Sequence, residues 1–209
     1  MGSNDGKKKL VRKASKVTDP LSFLNYSIPS SFTNESEKIN FTFKWGTRLT
    51  DEEFDWVFGL FVENMRSLYE MSQWGFDPNS KKQELYATTS RYIIANIGND
   101  KPIAYCHYRF DMDNGFAVVY CYEIQVEKEF QAHGLGTALI EILEAIGKKQ
   151  VFSCRTLMDK VMATVFAFNE KSLGFFHKLG FVADVTCPDA EQDVDYLILS
   201  KPLKDTSKN

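Results

Sequence analysis

No stretch of this 209-residue chain comes near the roughly 18 consecutive apolar residues of a membrane span, and its start lacks the apolar segment of a secretory leader. Neither a membrane nor a secreted protein is expected, and an intracellular one is. Cysteine is sparse: Cys106, Cys121, Cys154 and Cys187 form no Cys-x-x-Cys pair, and only His107, His133 and His177 could join them. A metal site is therefore not expected, and the thiols read as free and mostly buried. No internal repeat is present.

What is there is the composition of one well-buried domain, 44% hydrophobic and 14% aromatic. Charge is uneven. Lys7, Lys8, Lys9, Arg12, Lys13 and Lys16 stand against Asp5 in the first sixteen residues, a balance of +5; the whole chain carries −3, so the remainder carries −8. Residues 1–16 read as a basic, disordered tail, 17–205 as the domain and 206–209 as a second short tail. The tail is either a solubilising arm or a contact for RNA, a ribosome or the nuclear import machinery. The Met1-Gly2 start resembles a myristoylation signal, but Gly6 stands where that pattern needs Ser or Thr.

One hexapeptide carries chemistry. Gln131-Ala132-His133-Gly134-Leu135-Gly136 lies between an apolar strand expected over 118–126 and an apolar-faced helix expected from about 135. Glycines let the backbone approach phosphate oxygens, and the free N–H groups at a helix start favour their charge. A nucleotide P-loop would need Gly-Lys-Ser or Gly-Lys-Thr, whereas Thr137 and Ala138 follow Gly136. A dinucleotide fingerprint would need Gly or Ala where Leu139 stands. Both nucleotide readings fail.

The remaining pattern places strands over 39–45, 91–97, 102–111, 118–126, 161–166, 181–185 and 196–201. Thr50 and Glu53 form a capping box for a helix with Phe54, Val57, Phe58, Phe61, Met65 and Leu68 on its apolar face. Shorter helices are expected around 19–21, 81–86 and 169–179, and Asp113-Asn114-Gly115 is a hairpin turn. This order is α+β, with a mixed central sheet flanked by helices.

The spacing Gln-x-x-Gly-x-Gly resembles the acetyl-CoA signature of the GNAT superfamily of N-acetyltransferases, and Asn169 with Phe175-Phe176-His177-Lys178-Leu179-Gly180-Phe181 resembles that superfamily's next block. The resemblance implies a single domain whose sheet splays at the cofactor strand to admit the pantetheine arm. It implies that Ile124, Gln125 and Val126 hold pantetheine, that Ala132, His133, Gly134, Leu135, Gly136 and Thr137 with Gln131 hold the pyrophosphate, and that Asn169 bonds the cofactor while capping its helix. Ile124 and Val126 read equally well as core. Many members carry a tyrosine as general acid where this chain has Phe176, so the acid is unassigned.

Three further segments resemble the N-alpha-acetyltransferase D family, which acetylates histone N-termini: Met65-Arg66-Ser67-Leu68-Tyr69-Glu70 running into Gln73-Trp74-Gly75, His107-Tyr108-Arg109-Phe110-Asp111, and Tyr120-Cys121-Tyr122-Glu123-Ile124-Gln125. The similarity spans about 19–199. It implies acetyl transfer from acetyl-CoA, by direct attack in a ternary complex, to Ser-Gly-Arg-Gly-type histone termini, in cytoplasm and nucleus, by a monomer. An α-amine has a pKa of about 7.7–8.0 against about 10.4 for lysine, roughly 3.4 kcal/mol less for the neutral nucleophile, so a weak base suffices. Glu123 is that candidate, with Tyr120 and Tyr122 holding or relaying through water. Strict alternation would separate Glu123 from the two tyrosines, so their convergence requires a bulge or a splayed strand. A charge at a sheet edge is the plainer reading of Glu123. Cys121 has no neighbour in sequence to activate it as a nucleophile.

By the same resemblance Tyr69 and Trp74 line the peptide pocket, although Trp74 also reads as aromatic core, and Asp111, Met112 and Asp113 face the peptide. Thr164, Thr186 and Tyr196 are carried over as substrate-facing. The competing readings are a lysine or small-amine acetyltransferase of the same fold, and a non-catalytic acetyl-CoA-binding scaffold.

Overall fold

A computed structural model describes residues 4–22, 24, 38–98, 100–148, 150–151, 154–155, 157–189 and 191–203. Its first element corrects the expectation of a disordered arm: Asn4–Ala14 is a helix, α1. Leu10, Val11 and Ala14 recur at helical spacing and pack on the main core. Lys7 anchors the other flank, its ammonium 2.9 Å from Asp159 and 4.9 Å from the Phe116 ring centre. The expected helix at 19–21 is instead a turn, in which the Asp19 carboxylate accepts from the N–H groups of Leu21 and Ser22.

β1 (Ile39–Trp45) leads to α2 (Asp51–Met71), which starts at the expected reciprocal capping box between Thr50 and Glu53. α3 (Pro78–Leu85) begins three residues earlier than expected, because Asp77 caps it and Pro78 takes the first-turn position where a missing N–H costs nothing. β2 (Arg91–Ile97), β3 (Lys101–Asp113) and β4 (Phe116–Val126) form an antiparallel meander. Asn114 and Gly115, at φ 42° and 81°, supply the two left-handed residues of the hairpin between β3 and β4. α4 (Leu135–Lys148), a two-strand hairpin β5 (Gln150–Val151) and β6 (Cys154–Arg155), β7 (Lys160–Phe166), α5 (Glu170–Lys178), β8 (Val182–Ala183) and β9 (Tyr196–Pro202) complete the order. The hairpin β5–β6 was not expected from the sequence. β8 is shorter than expected, ending before Asp184, whose N–H bonds Ile198.

The main sheet has seven strands in the order β1-β2-β3-β4-β7-β9-β8, antiparallel except for the pair β4 and β7. The period of two sends alternate side chains of β2 to opposite faces. Tyr92 and Ile94 meet Val57 and Leu60 of α2 on one side, and Ile93 and Ala95 join Leu139 and Leu143 of α4 in the core on the other. Each Val, Leu or Ile so buried contributes about 1.5–3 kcal/mol against chain entropy.

Candidate active site

Two irregularities in β4 build the site. The first is a bulge: His107 pairs with Glu123 and Tyr108 with Cys121, leaving Tyr122 as the extra residue. Cys121 accordingly packs in the core shared with α4, while Glu123 turns to the opposite face and meets Lys81 of α3. This is the break in alternation that convergence of Tyr120, Tyr122 and Glu123 requires. The second is a parting of strands. Pairing between β4 and β7 ends at Cys121 and Ala163, although β4 runs on to Val126 and β7 to Phe166. Residues 122–126 therefore present a backbone edge with no strand beside it, suited to an extended amide-bearing chain.

A cavity of about 350 Å³ opens at this parting. Tyr120, Tyr122, Glu123, Ile124 and Gln125 line it from β4, and Thr164 and Phe166 from β7. Tyr69 and Trp74 close it from the end of α2, and Asp111, Met112 and Asp113 from the hairpin. Asn169 and Phe176 border it from α5.

Glu123 is 6% exposed, and both its oxygens are engaged: Lys81 Nζ lies 2.6 Å from Oε1, and Gln125 Nε2 donates to Oε2 at 2.8 Å. Gln125 is itself held by Asn64, which donates to its Oε1 at 3.0 Å. Burial pushes the Glu123 carboxyl up from the usual range; Lys81 opposes this, and the net direction is upward. A carboxylate oxygen has two lone pairs, so each keeps a further acceptor site in this cavity-lining residue. Tyr120 and Tyr122 lie with ring centres 5.0 Å apart, and the Tyr120 hydroxyl contacts Thr164 Oγ1 at 2.5 Å. Burial raises both phenols, which stay protonated at neutral pH. Tyr69 is pushed up to about 12, chiefly by burial and then by Glu123.

The aromatic wall is one packed group, Trp74 touching Tyr69, Phe166 and Tyr196 at centre distances of 6.1, 5.1 and 5.3 Å. Trp74 remains half exposed, a rim rather than a core residue. Tyr196 sits beside the site, against that indole and paired in register with Phe166, and is not among the lining residues. Thr186 is not among them either; its N–H and hydroxyl both donate to Asp184 Oδ1, at 2.9 and 2.7 Å. Asp113, a lining residue, has its Oδ2 buried without a hydrogen-bond partner.

The glycine-bearing turn lies beyond the cavity lining. Ala132 and Gly134 adopt left-handed backbone at φ 63° and 94°, and with His133 they are exposed, while Leu135 is buried as α4 starts. A Cβ at Gly136 would meet the Phe175 ring at 3.2 Å and Ile124 at 3.9 Å, so the turn adjoins the open strand edge. Gln131 braces it, donating to the Val126 carbonyl at 3.0 Å and accepting from Lys171 at 2.6 Å. Thr137 is half-buried in the first turn of α4. Asn169 caps α5 by accepting from the Ser172 N–H at 3.1 Å. An open edge that ends at a glycine turn and a helix start fits a cofactor with an amide-bearing arm and a pyrophosphate. The described residues contain no cluster of metal-ligating side chains.

Sequence reasoning missed Lys81, Glu84, Arg109 and His107. Lys81-Lys82 reads as a solvated run on a short helix, and nothing local marks which lysine turns inward. Arg109 lies 4.2 Å from the Tyr122 ring centre and donates to the Glu84 carbonyl at 2.7 Å. His107 is fully buried between the Tyr92 and Tyr122 rings, with neither ring nitrogen hydrogen-bonded. Burial holds it well below the usual histidine range, so it is neutral. Cys106 and Cys121 are free, with sulfurs 3.7 Å apart.

Comparison with known proteins agrees with this architecture. The structure is similar to Arabidopsis thaliana NAA60 solved with a bisubstrate analogue, at 10% identity and TM-score 0.57 over 79% of this chain and 100% of that one. It is similar to the ribosomal-protein-S18-alanine N-acetyltransferase of Escherichia coli, at 16% identity and TM-score 0.50 over 81% and 98%. It also matches the NatC complex bound to Gag peptide and CoA, at 17% identity and TM-score 0.53 over 79% and 99%. These likenesses are likenesses of fold. The model of the acetyltransferase (GNAT) family matches residues 40–181, most of the chain and every strand that forms the site, and the protein belongs to that family.

Proposed function

We propose that this acetyl-CoA-dependent acyltransferase is a protein N-alpha-acetyltransferase acting on histone tails that begin Ser-Gly-Arg-Gly. The observation that carries the reading is the Glu123 carboxylate held against the Lys81 cation at 2.6 Å. A base so restrained suits a nucleophile of pKa about 7.7–8.0 better than a lysine amine of about 10.4. The carboxylates of Asp111 and Asp113, the latter with its buried unpartnered oxygen, suit an arginine or the backbone amides of a basic peptide.

Acetyl-CoA supplies the acyl group as a thioester. Ile124, Gln125 and Val126 would hold its arm along the open edge, and residues 131–137 its pyrophosphate, with Asn169 between. Glu123 takes the proton leaving the α-amine, directly or through a water placed by Tyr120 and Tyr122. An N–H of the unpaired β4 edge is the donor available to the reacting carbonyl. Phe176 has no proton to give, so α5 would supply no general acid for the departing thiolate, and water would suffice. Tyr69, Trp74 and Phe166 exclude bulk solvent from the reacting nitrogen.

The exposed Lys8, Lys9, Arg12 and Lys16 of α1 and the turn after it support a contact with RNA or a ribosome, now as one face of a docked helix.

The test is product mass spectrometry with acetyl-CoA and two peptides, one free at Ser-Gly-Arg-Gly and one amino-blocked twin with lysines. Acetylation confined to the free terminus is expected. Modification of the blocked twin at a similar rate would turn the reading to lysine; binding of CoA without turnover on either would leave a scaffold.

A further inference from the structure

Lys81 is 7% exposed, yet it belongs to a family of side chains almost never buried without cause. Its ammonium has three N–H donors and three oxygen partners: Glu123 at 2.6 Å, Glu84 at 2.7 Å and the Tyr69 hydroxyl at 3.0 Å. The rings of Phe61 and Tyr69 pack over it, with centres 4.6 and 5.2 Å away. A buried ion pair is weak support for a fold, because desolvating two charges offsets most of their attraction. Such an investment is better explained by what the pair does in the cavity, where both partners are lining residues.

We propose that Lys81 is the positioning residue of this site: its ammonium keeps the Glu123 carboxylate ionised and turned to the substrate nitrogen, and ties the base to the Tyr69 wall. The proposal rests on Glu123 being the base of the acetyl transfer. Lys81 touches no reacting atom and acts through Glu123. Its sequence neighbour Lys82 is exposed over Phe58 and has no such role.

The surroundings of Glu123 make the charge logic specific. Lys81 and Glu84 face it from α3, Tyr69 from α2 and Tyr92 from β2. From β3 come Tyr105, Cys106 and the paired His107, with Arg109 behind Tyr122; Gln125 is on its own strand. The tyrosines, the thiol and His107 are held neutral, so the ionic balance at Glu123 rests on Lys81 against Glu84, with Arg109 more distant. Burial would draw the ammonium toward its neutral form, but Glu123, Glu84 and Tyr69 outweigh burial and hold it charged.

The experiment titrates the Glu123 carboxyl carbon by NMR in full-length protein labelled with 13C-glutamate, the resonance being assigned by its loss in Glu123→Gln. In Lys81→Met the midpoint should rise by about 1–3 pH units, in Lys81→Arg it should stay near the parent value, and in Glu84→Gln it should fall. In parallel, kcat of Lys81→Met at saturating peptide should recover as pH rises, with peptide KM little changed. An unmoved midpoint, or a loss of kcat equal at every pH, would show Lys81 to be structural only and overturn the proposal. If Lys81→Met does not fold, Lys81→Gln, which keeps a polar tip among Glu123, Glu84 and Tyr69, decides in its place: an unmoved midpoint there overturns the proposal. If Glu123→Gln turns over like the parent, the base assignment and this role fall together. If Glu123→Gln is silent while the midpoints stay put, only Lys81 falls.

Discussion

Among the described residues, two buried lysine–carboxylate pairs have the same 2.6 Å separation and opposite character. At the far end of the sheet, Lys160 holds Asp184. Burial raises that carboxyl, but bonds from Lys160, Ser200 and Thr186 more than offset it and bring it down to about 2. In the cavity, Glu123 has Lys81 and Gln125 as donors and Glu84 as a repelling neighbour, and burial prevails. Distance to the cation is therefore a poor guide to what a buried carboxylate is for. The count of additional donors decides whether it is locked or left able to take a proton. Asp184 is surrounded as a structural anion is, and Glu123 keeps the freedom that the proposed base role needs.

The widest separation between the two should come from neutralising each carboxylate. Glu123→Gln is expected to lower kcat by about 10²–10⁴-fold, with CoA affinity by calorimetry and the unfolding midpoint nearly unchanged. Asp184→Asn should do the reverse, leaving kcat alone while stranding Lys160 in the interior at a cost of about 3–5 kcal/mol in urea unfolding. The acid dependence fixes the sign. With the folded value near 2 and an unfolded value near 3.8, the parent holds the Asp184 contribution above pH 3.8 and loses it as pH falls toward 2. Asp184→Asn should lack that acid loss. Equal effects of the two variants on kcat would dissolve the contrast.

The elements on which this contrast rests were unevenly legible. The capping box of α2, the Asn114-Gly115 hairpin and the strand into the glycine turn could be read because each signal is local. The bulge at Tyr122 could be stated only as a requirement, since alternation in one strand says nothing of register with its neighbour. α1 was obscured by its own charge: only Leu10, Val11 and Ala14 mark its apolar face among five basic residues, and their packing surface comes from elements a hundred residues on. Lys81 could not be told from Lys82, because the buried member is chosen by where Glu123 arrives. The roles of Thr186 and Tyr196 came from resemblance alone, and the geometry sets both back from the cavity.

His107 extends the comparison to a buried titratable group with no hydrogen-bond partner at all. Its unfolded pKa is near 6.5 and its folded value lies well below, so between the two the unfolded chain binds the extra proton. Stability is therefore full above about pH 6.5 and falls on acidification by about 1.4 kcal/mol per pH unit. His107→Phe retains a ring between Tyr92 and Tyr122 and removes the proton site. Its stability should fall less than the parent's between pH 7 and 5.5, measured by urea unfolding. Parallel curves would mean that His107 is already protonated or solvated in the fold.

The smallest effect concerns the residue whose assignment hangs on the contrast itself. Thr186 donates twice to Asp184, which ties it to the locked pair, and it is not among the cavity-lining residues. Thr186→Val keeps the branched shape and removes one donor, which should cost about 1 kcal/mol. Losing that donor should also let the Asp184 carboxyl rise, so the acid unfolding limb moves to higher pH. Peptide KM should not change, because the hydroxyl is engaged before any substrate arrives. A raised KM with unaltered stability would return Thr186 to the substrate side and require the β8–β9 region to move when peptide binds, a rearrangement that the Asp184 bonds would have to yield to.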